Sequence, residues 1–85
     1  MTYRITWRPA ALRSIDKLDR PVRARILHTI DALATEPRPP GAAALAGGHG
    51  DLRVRIGTYR VIYRVNDTEL TVLVVNVGHR RDIYR

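Results

Sequence analysis

Arginine at alternate positions marks the second half of this chain. Arg53 and Arg55 lie on one short segment, and Arg60 and Arg64 on the next. A guanidinium binds phosphate through paired hydrogen bonds, stacks on bases and keeps its charge when partly buried. The last seven residues add His79, Arg80, Arg81 and Tyr84, a set of donors and one aromatic ring that fits a phosphate and a stacked base. The chemistry these types suggest is recognition of a polyanion, nucleic acid first and acidic protein second. A solvated basic face and a charged tail that merely keep the sheet soluble are the plainer explanations of the same residues.

The whole composition points the same way. Fifteen Lys and Arg oppose eight Asp and Glu, a net charge of +7, and Lys17 is the only lysine. A GC-rich genome explains arginine in place of lysine but not the net excess. With no cysteine, the 85 residues can form neither a disulfide nor a thiolate metal site, which fits a reducing cytoplasm. No apolar run approaches the roughly 18 residues that span a bilayer, and no signal peptide opens the chain. The expectation is a soluble, cytoplasmic protein of one domain, residues 1–85, without membrane contact. His28 and His49 read as surface residues. No metal-ligand cluster is present, so neither metal nor cofactor is expected.

The elements that must position the arginines follow from periodicity. Tyr3, Ile5 and Trp7 alternate with Arg4 and Thr6, the pattern of a half-buried strand. Pro9 suits a helix start, and Ala11, Leu12, Ile15 and Leu18 predict a helix over 10–18. Asp19 before Arg20 and Pro21 signals a second start. Val22, Ile26, Ile30, Leu33 and Ala34 form one apolar stripe, predicting a helix over 20–35. The near-absence of a linker makes the two a helical hairpin. Pro37, Pro39 and Pro40, followed by Gly41, Gly47, Gly48 and Gly50, predict a surface loop over 36–50, with a short turn near Ala43–Leu45.

The remainder reads as strand. Leu52, Val54 and Ile56 alternate with Arg53 and Arg55; Tyr59, Val61, Tyr63 and Val65 alternate with Arg60, Ile62 and Arg64. Gly57-Thr58 between them suits a two-residue type II′ turn. That turn pairs Ile56 with Tyr59, Arg55 with Arg60, Val54 with Val61 and Arg53 with Ile62. The helices must cover the apolar side, which leaves Arg53, Arg55, Arg60 and Arg64 on the uncovered side. Like charges directly opposite one another cost some tenths of a kcal/mol, and no acidic partner lies on these two strands. After a turn at Asn66-Asp67-Thr68, the nearly all-apolar run Leu70–Val77 reads as a central strand. Gly78 ends it and turns the terminal cluster beside the sheet. The predicted class is α+β, in the order β-α-α-β-β-β, with a helical hairpin packed on one face of an antiparallel sheet.

At these residues the chain resembles the RelE/ParE toxin superfamily, in its RelE branch, over nearly its whole length. The run from Leu52 to Tyr63 carries most of the resemblance. The ending Val77-Gly78-His79-Arg80-Arg81-Asp82-Ile83-Tyr84-Arg85 carries the rest, together with the proline-rich approach to Leu45-Ala46-Gly47. The resemblance implies a toxin of a type II toxin–antitoxin system, a metal-independent endoribonuclease (mRNA interferase). Such a toxin inhibits translation by cutting mRNA in the ribosomal A site through attack of a 2′-hydroxyl on the adjacent phosphate. It implies Arg60 and Arg80 on that phosphate, Tyr84 stacking on or orienting the target nucleotide, and Arg53 and Arg55 where the family often has lysines. Arg64 and Arg81 join them as substrate-binding residues. A guanidinium keeps its proton at physiological pH, so His79 and Tyr84 are the candidates for proton transfer. Implied partners are a cognate antitoxin with an acidic tail, the ribosome and its mRNA, and operator DNA only through the antitoxin complex. Two other readings stand beside this one. The chain could be a non-enzymatic ParE-like toxin that poisons DNA gyrase, or a plain RNA-binding module, which usually displays aromatic rings on its open face.

Overall fold

A computed structural model describes residues 2–45 and 50–79. Strand β1 (Arg4–Trp7) leads into helix α1 (Pro9–Asp16) and then α2 (Arg20–Leu33). Four strands follow: β2 (Ala43–Ala44), β3 (Leu52–Ile56), β4 (Tyr59–Asn66) and β5 (Thr71–His79). Pro9 and Pro21 sit in the first turns of their helices, where a missing N–H costs nothing. Asp19 holds the N-cap position of α2, but its side chain makes no capping hydrogen bond. The buried stripe on α2 is Ile26, Ile30 and Leu33, and that on α1 is Ala11 and Ile15, as their spacing predicts.

The five strands form one sheet in the order β1-β5-β4-β3-β2. Both helices pack on one face, against Val54, Val61, Tyr63, Val72, Val74 and Val77. Burying each such side chain contributes about 1.5–3 kcal/mol, so this face supplies most of the anchoring, with Ile62 of β4 the buried side chain on the other face. The α+β class holds, with two corrections. The sheet is mixed and not wholly antiparallel, because β1 runs parallel to β5. The chain returns to the sheet edge only after the helical hairpin, and a crossover of that length permits parallel pairing. The predicted loop also contains β2, a two-residue strand that pairs Ala43 with Arg53 and Ala44 with Leu52, where a short turn was expected.

The β3–β4 hairpin has the predicted register: Ile56 with Tyr59, Arg55 with Arg60, Val54 with Val61, Arg53 with Ile62. Gly57 has φ +62, and Leu70 is the only described non-glycine residue with positive φ, as a II′ turn requires of its two central positions. Strand β5 is less regular. Residues Ile62 to Tyr59 pair with Asn76 to His79, while Tyr63 to Asn66 pair with Val74 to Thr71. Val75 is therefore an extra residue, a β-bulge in the middle of the strand.

Candidate nucleic-acid interface

Residues directly paired across antiparallel strands lie on the same face of a sheet. The row Gly78–Arg60–Arg55 and the row Asn76–Ile62–Arg53 therefore share the face away from the helices. Within a two-residue hairpin the pair next to the turn exchanges both hydrogen bonds, so Arg55 and Arg60 form the closer, non-hydrogen-bonded kind of pair. Gly78, on the far side of Arg60, brings no side chain to that row. Arg55 is exposed, and Arg53 and Arg60 are partly so. Among the described residues, Arg53 and Arg55 form no salt bridge. Three guanidiniums thus stand together on a surface that no helix covers, an arrangement able to grip consecutive phosphates.

Arg64 lies on the same face but differs from the other three. Its Nε donates to Asp51 Oδ1 at 2.7 Å, and a second guanidinium nitrogen lies 3.4 Å from Oδ2. Asp51 is itself buried, the one charged residue in that class among the described residues. An acidic partner therefore exists for this arginine, one residue before β3 begins. Continuing the hairpin register by one step sets Asp51 opposite Arg64, so the pattern that located the arginines also contained this pair.

His79 does not join the arginines. It pairs with Tyr59, and its ring meets the Tyr59 ring edge-on, 5.6 Å between centroids and 81° between planes. Tyr59 packs against the core, so His79 is on the helix side. There it lines a cleft of about 290 Å³ with Ser14, Lys17 and Leu18. The bulge is the reason: one inserted residue reverses which face every later side chain occupies. The expected cluster of His79 with Arg60 is corrected on this point. Arg80, Arg81 and Tyr84, with His49, lie outside the described residues.

Other features escaped the sequence reading. Tyr63, fully buried, donates its hydroxyl to the carbonyl of Pro37 at 2.7 Å, tying the proline-rich loop to the sheet. Burial pushes its phenol above the ordinary tyrosine range. At the opposite end of the strands, Arg38 grips Asp67 through both nitrogens at 3.1 and 3.0 Å, and Tyr3 donates to the same carboxylate at 2.7 Å. Hydrogen bonds from Arg38 and then Tyr3 hold the Asp67 carboxyl below its usual range. The one signal for these contacts was an aspartate at the first position of the β4–β5 turn. Exposed Arg25 and His28 of α2 border a groove with Arg55, Ile56 and Gly57. Among the described residues, no cluster of three or more potential metal ligands occurs, and no helix is long and apolar enough to cross a membrane.

Comparison with known proteins agrees with this geometry. Residues 5–84 match the family described as the ParE toxin of the type II toxin–antitoxin system parDE. Toxin RelG of Mycobacterium tuberculosis is 34% identical over 86 residues, covering 100% of this chain and 99% of that one. A putative RelE-like toxin protein of Escherichia coli is 30% identical, covering 99% and 92%. Among solved structures, the toxin–antitoxin complex RelBE2 of M. tuberculosis superposes with a TM-score of 0.82 at 29% identity, covering 94% of this chain and 100% of that one. The RelE–RelB complex of Pyrococcus horikoshii gives the same score and identity, covering 96% and 99%. With a family match over nearly its whole length and RelE-type relatives on both comparisons, the chain belongs to the RelE/ParE superfamily of type II toxins, on its RelE-type side.

Proposed function

We propose that this toxin is a ribosome-dependent endoribonuclease that cuts mRNA in the A site. The observation that carries the reading is the triple arginine face, Arg53, Arg55 and Arg60, on the sheet surface opposite the helices. The 2′-oxygen attacks the adjacent phosphorus and the bond to the 5′-oxygen breaks, leaving a 2′,3′-cyclic phosphate and a 5′-hydroxyl. The 2′-hydroxyl proton goes to a base, and the departing 5′-oxygen takes one from an acid. Arg60, with Arg80 from the terminal segment, neutralises the charge that builds on the phosphoryl oxygens; such donors contribute most when they are already in place. Arg53 and Arg55 hold the flanking backbone, with Arg81 as a further contact. Arg64 adds less, since Asp51 already neutralises it. Of the two candidates for proton movement, His79 faces the helices, which leaves Tyr84 as the residue that moves a proton as well as stacking on the nucleotide.

The partners follow from the same reading. The RelE toxins of the two solved complexes are bound to antitoxins, and an acidic antitoxin segment complements a chain of charge +7. The deciding experiment is toe-printing of ribosome-bound message in the presence of the toxin. Wild type should yield cuts within the A-site codon. Arg60→Ala and Arg80→Ala should each slow them by roughly 10²–10³. The family description names ParE, so gyrase inhibition is the reading to be separated. A wild-type toxin that leaves message intact while inducing a DNA-damage response would replace the nuclease with a gyrase poison.

A further inference from the structure

We propose that the groove between α2 and the tip of the β3–β4 hairpin is a second RNA-phosphate site, in which Arg25 and His28, with Arg55, bind a phosphodiester outside the cleavage site. The groove has a volume of about 580 Å³ and is lined from α2 by Arg25, His28 and Thr29 and from the hairpin by Arg55 and Gly57. Arg25 and His28 stand three residues apart on the helix and so share one face of it, and both are exposed. Arg55 belongs to the groove and to the arginine face alike. Strand β2 pairs only with Leu52 and Arg53, so among the described residues no strand flanks Arg55 and Ile56. The arginine face meets the groove across this bare edge.

The turn itself makes room for one of these cations. Gly57 has no side chain, and a Cβ at that position would lie 3.6 Å from an Arg25 guanidinium nitrogen. The guanidinium therefore lies against the turn, next to the strand that carries Arg55. Thr29 donates its hydroxyl to the Arg25 carbonyl at 3.1 Å, which leaves two guanidiniums and an imidazole as the side-chain donors of the groove. Among the described residues none of the three forms a salt bridge, not even His28 with Asp31 three residues on. Cations so gathered without a carboxylate favour a bound anion. An RNA backbone fits better than an acidic helix. The apolar side chains lining the groove are Ala24 and Ile56, too few for the row of anchors at i, i+3, i+4 and i+7 by which a groove holds an amphipathic helix. The choice of RNA rests on the endoribonuclease reading; the cationic groove rests on the geometry alone.

The test titrates the toxin with a short single-stranded RNA whose 2′-hydroxyls are methylated, so that it cannot be cut, and follows backbone amide NMR shifts. The amides of Ala24 to Thr29 should move together with those of Arg55 to Gly57. Arg25→Ala should weaken binding roughly three- to tenfold and lower the salt slope of the log affinity by about 0.7. Arg25→Lys, which keeps the charge, should lose less. Both side chains are exposed, so Arg25→Ala and His28→Ala should melt like wild type. On programmed ribosomes the two variants should raise KM and leave kcat unchanged. Ribosomes with and without message in the A site separate the sources of the phosphate: weaker binding to both assigns it to ribosomal RNA, and weaker binding to the programmed ones alone assigns it to the message. Amide shifts at Arg53 and Arg60 with α2 unmoved, and a wild-type KM for both variants, would overturn the site. So would α2 amides that answer to a glutamate-rich peptide and not to RNA, which would give the groove to a protein partner. If RNA occupies the groove yet wild-type toxin cuts no message, the nuclease reading alone fails and the phosphate site stands.

Discussion

Arg64 and Arg38 are both paired with aspartates, and the comparison separates functional charge from structural charge. Asp51 is buried beside the arginine face, so its carboxylate needs Arg64 as much as Arg64 is quieted by it. Asp67 lies in a turn at the far end of the strands, with both members of its ion pair more than half exposed. Such surface pairs are worth little unless several groups converge, and here a third group, the Tyr3 hydroxyl, does so. The Asp67 carboxyl is held below its usual range by these contacts. A carboxyl whose pKa is lower folded than unfolded stabilises the fold above its unfolded value. It loses that contribution as pH falls through the folded value. Acidification below the ordinary aspartate range, about pH 4, should therefore lower the urea midpoint of wild type. Asp67→Asn should start from a lower midpoint at neutral pH and fall less steeply in acid. Equal acid slopes for the two proteins would remove Asp67 from the account.

Among the elements, the hairpin was readable from sequence because its information is local. Alternation gives each strand two faces, and a glycine followed by threonine fixes the turn, so every cross-strand pair follows. The two helices were readable for the same reason, from apolar residues at helical spacing. What sequence did not disclose is non-local or hidden by uniformity. Nothing in Arg4–Trp7 says that it will lie parallel to Thr71–Val74, and Ala43-Ala44 is too short for a period. In β5 the run from Val72 to Val75 is apolar at every position, so the extra residue Val75 leaves no break in the pattern. Gly78 was expected to end the strand and turn His79 toward the arginines; the strand instead runs on through His79, and the extra residue sets it behind them. Asp51 was within reach, one more step along a register already in hand. Because the site depends on this turn, Gly57 is its most sensitive backbone position. Its φ of +62 is open to glycine and strained for residues with a Cβ. Gly57→Val should lower unfolding free energy by about 1–2 kcal/mol in urea titrations, and cleavage should fall by more than the unfolded fraction accounts for. A variant with wild-type stability would mean that the turn adopts another geometry.

For the whole molecule, the same guanidiniums that are proposed to grip a polyanion burden the fold. Arg55 and Arg60 face each other directly within a chain of charge +7, and like charges so placed destabilise a sheet by roughly 0.2–1 kcal/mol. A sequence shaped for stability alone would more often set an uncharged or acidic residue opposite one of them, and local rules of this kind are typically broken where function needs it. Stability and activity should consequently respond to salt in opposite directions. Raising ionic strength from 0.01 to 0.15 M shortens the screening length from about 30 to 8 Å. Wild-type melting temperature should rise as the repulsion is screened, while association with the ribosome should weaken because each counterion released from a phosphate contact gains less free energy in more concentrated salt. Arg55→Thr should start more stable by about 0.2–1 kcal/mol, with a melting temperature that rises less with salt, and cleave more slowly. An acidic antitoxin would supply in the complex the charge compensation that salt supplies in solution, which couples neutralisation of the toxin to its stabilisation. If Arg55→Thr proved no more stable than wild type, the arginines would be paired well enough to coexist, and the opposition between folding and function on this face would be absent.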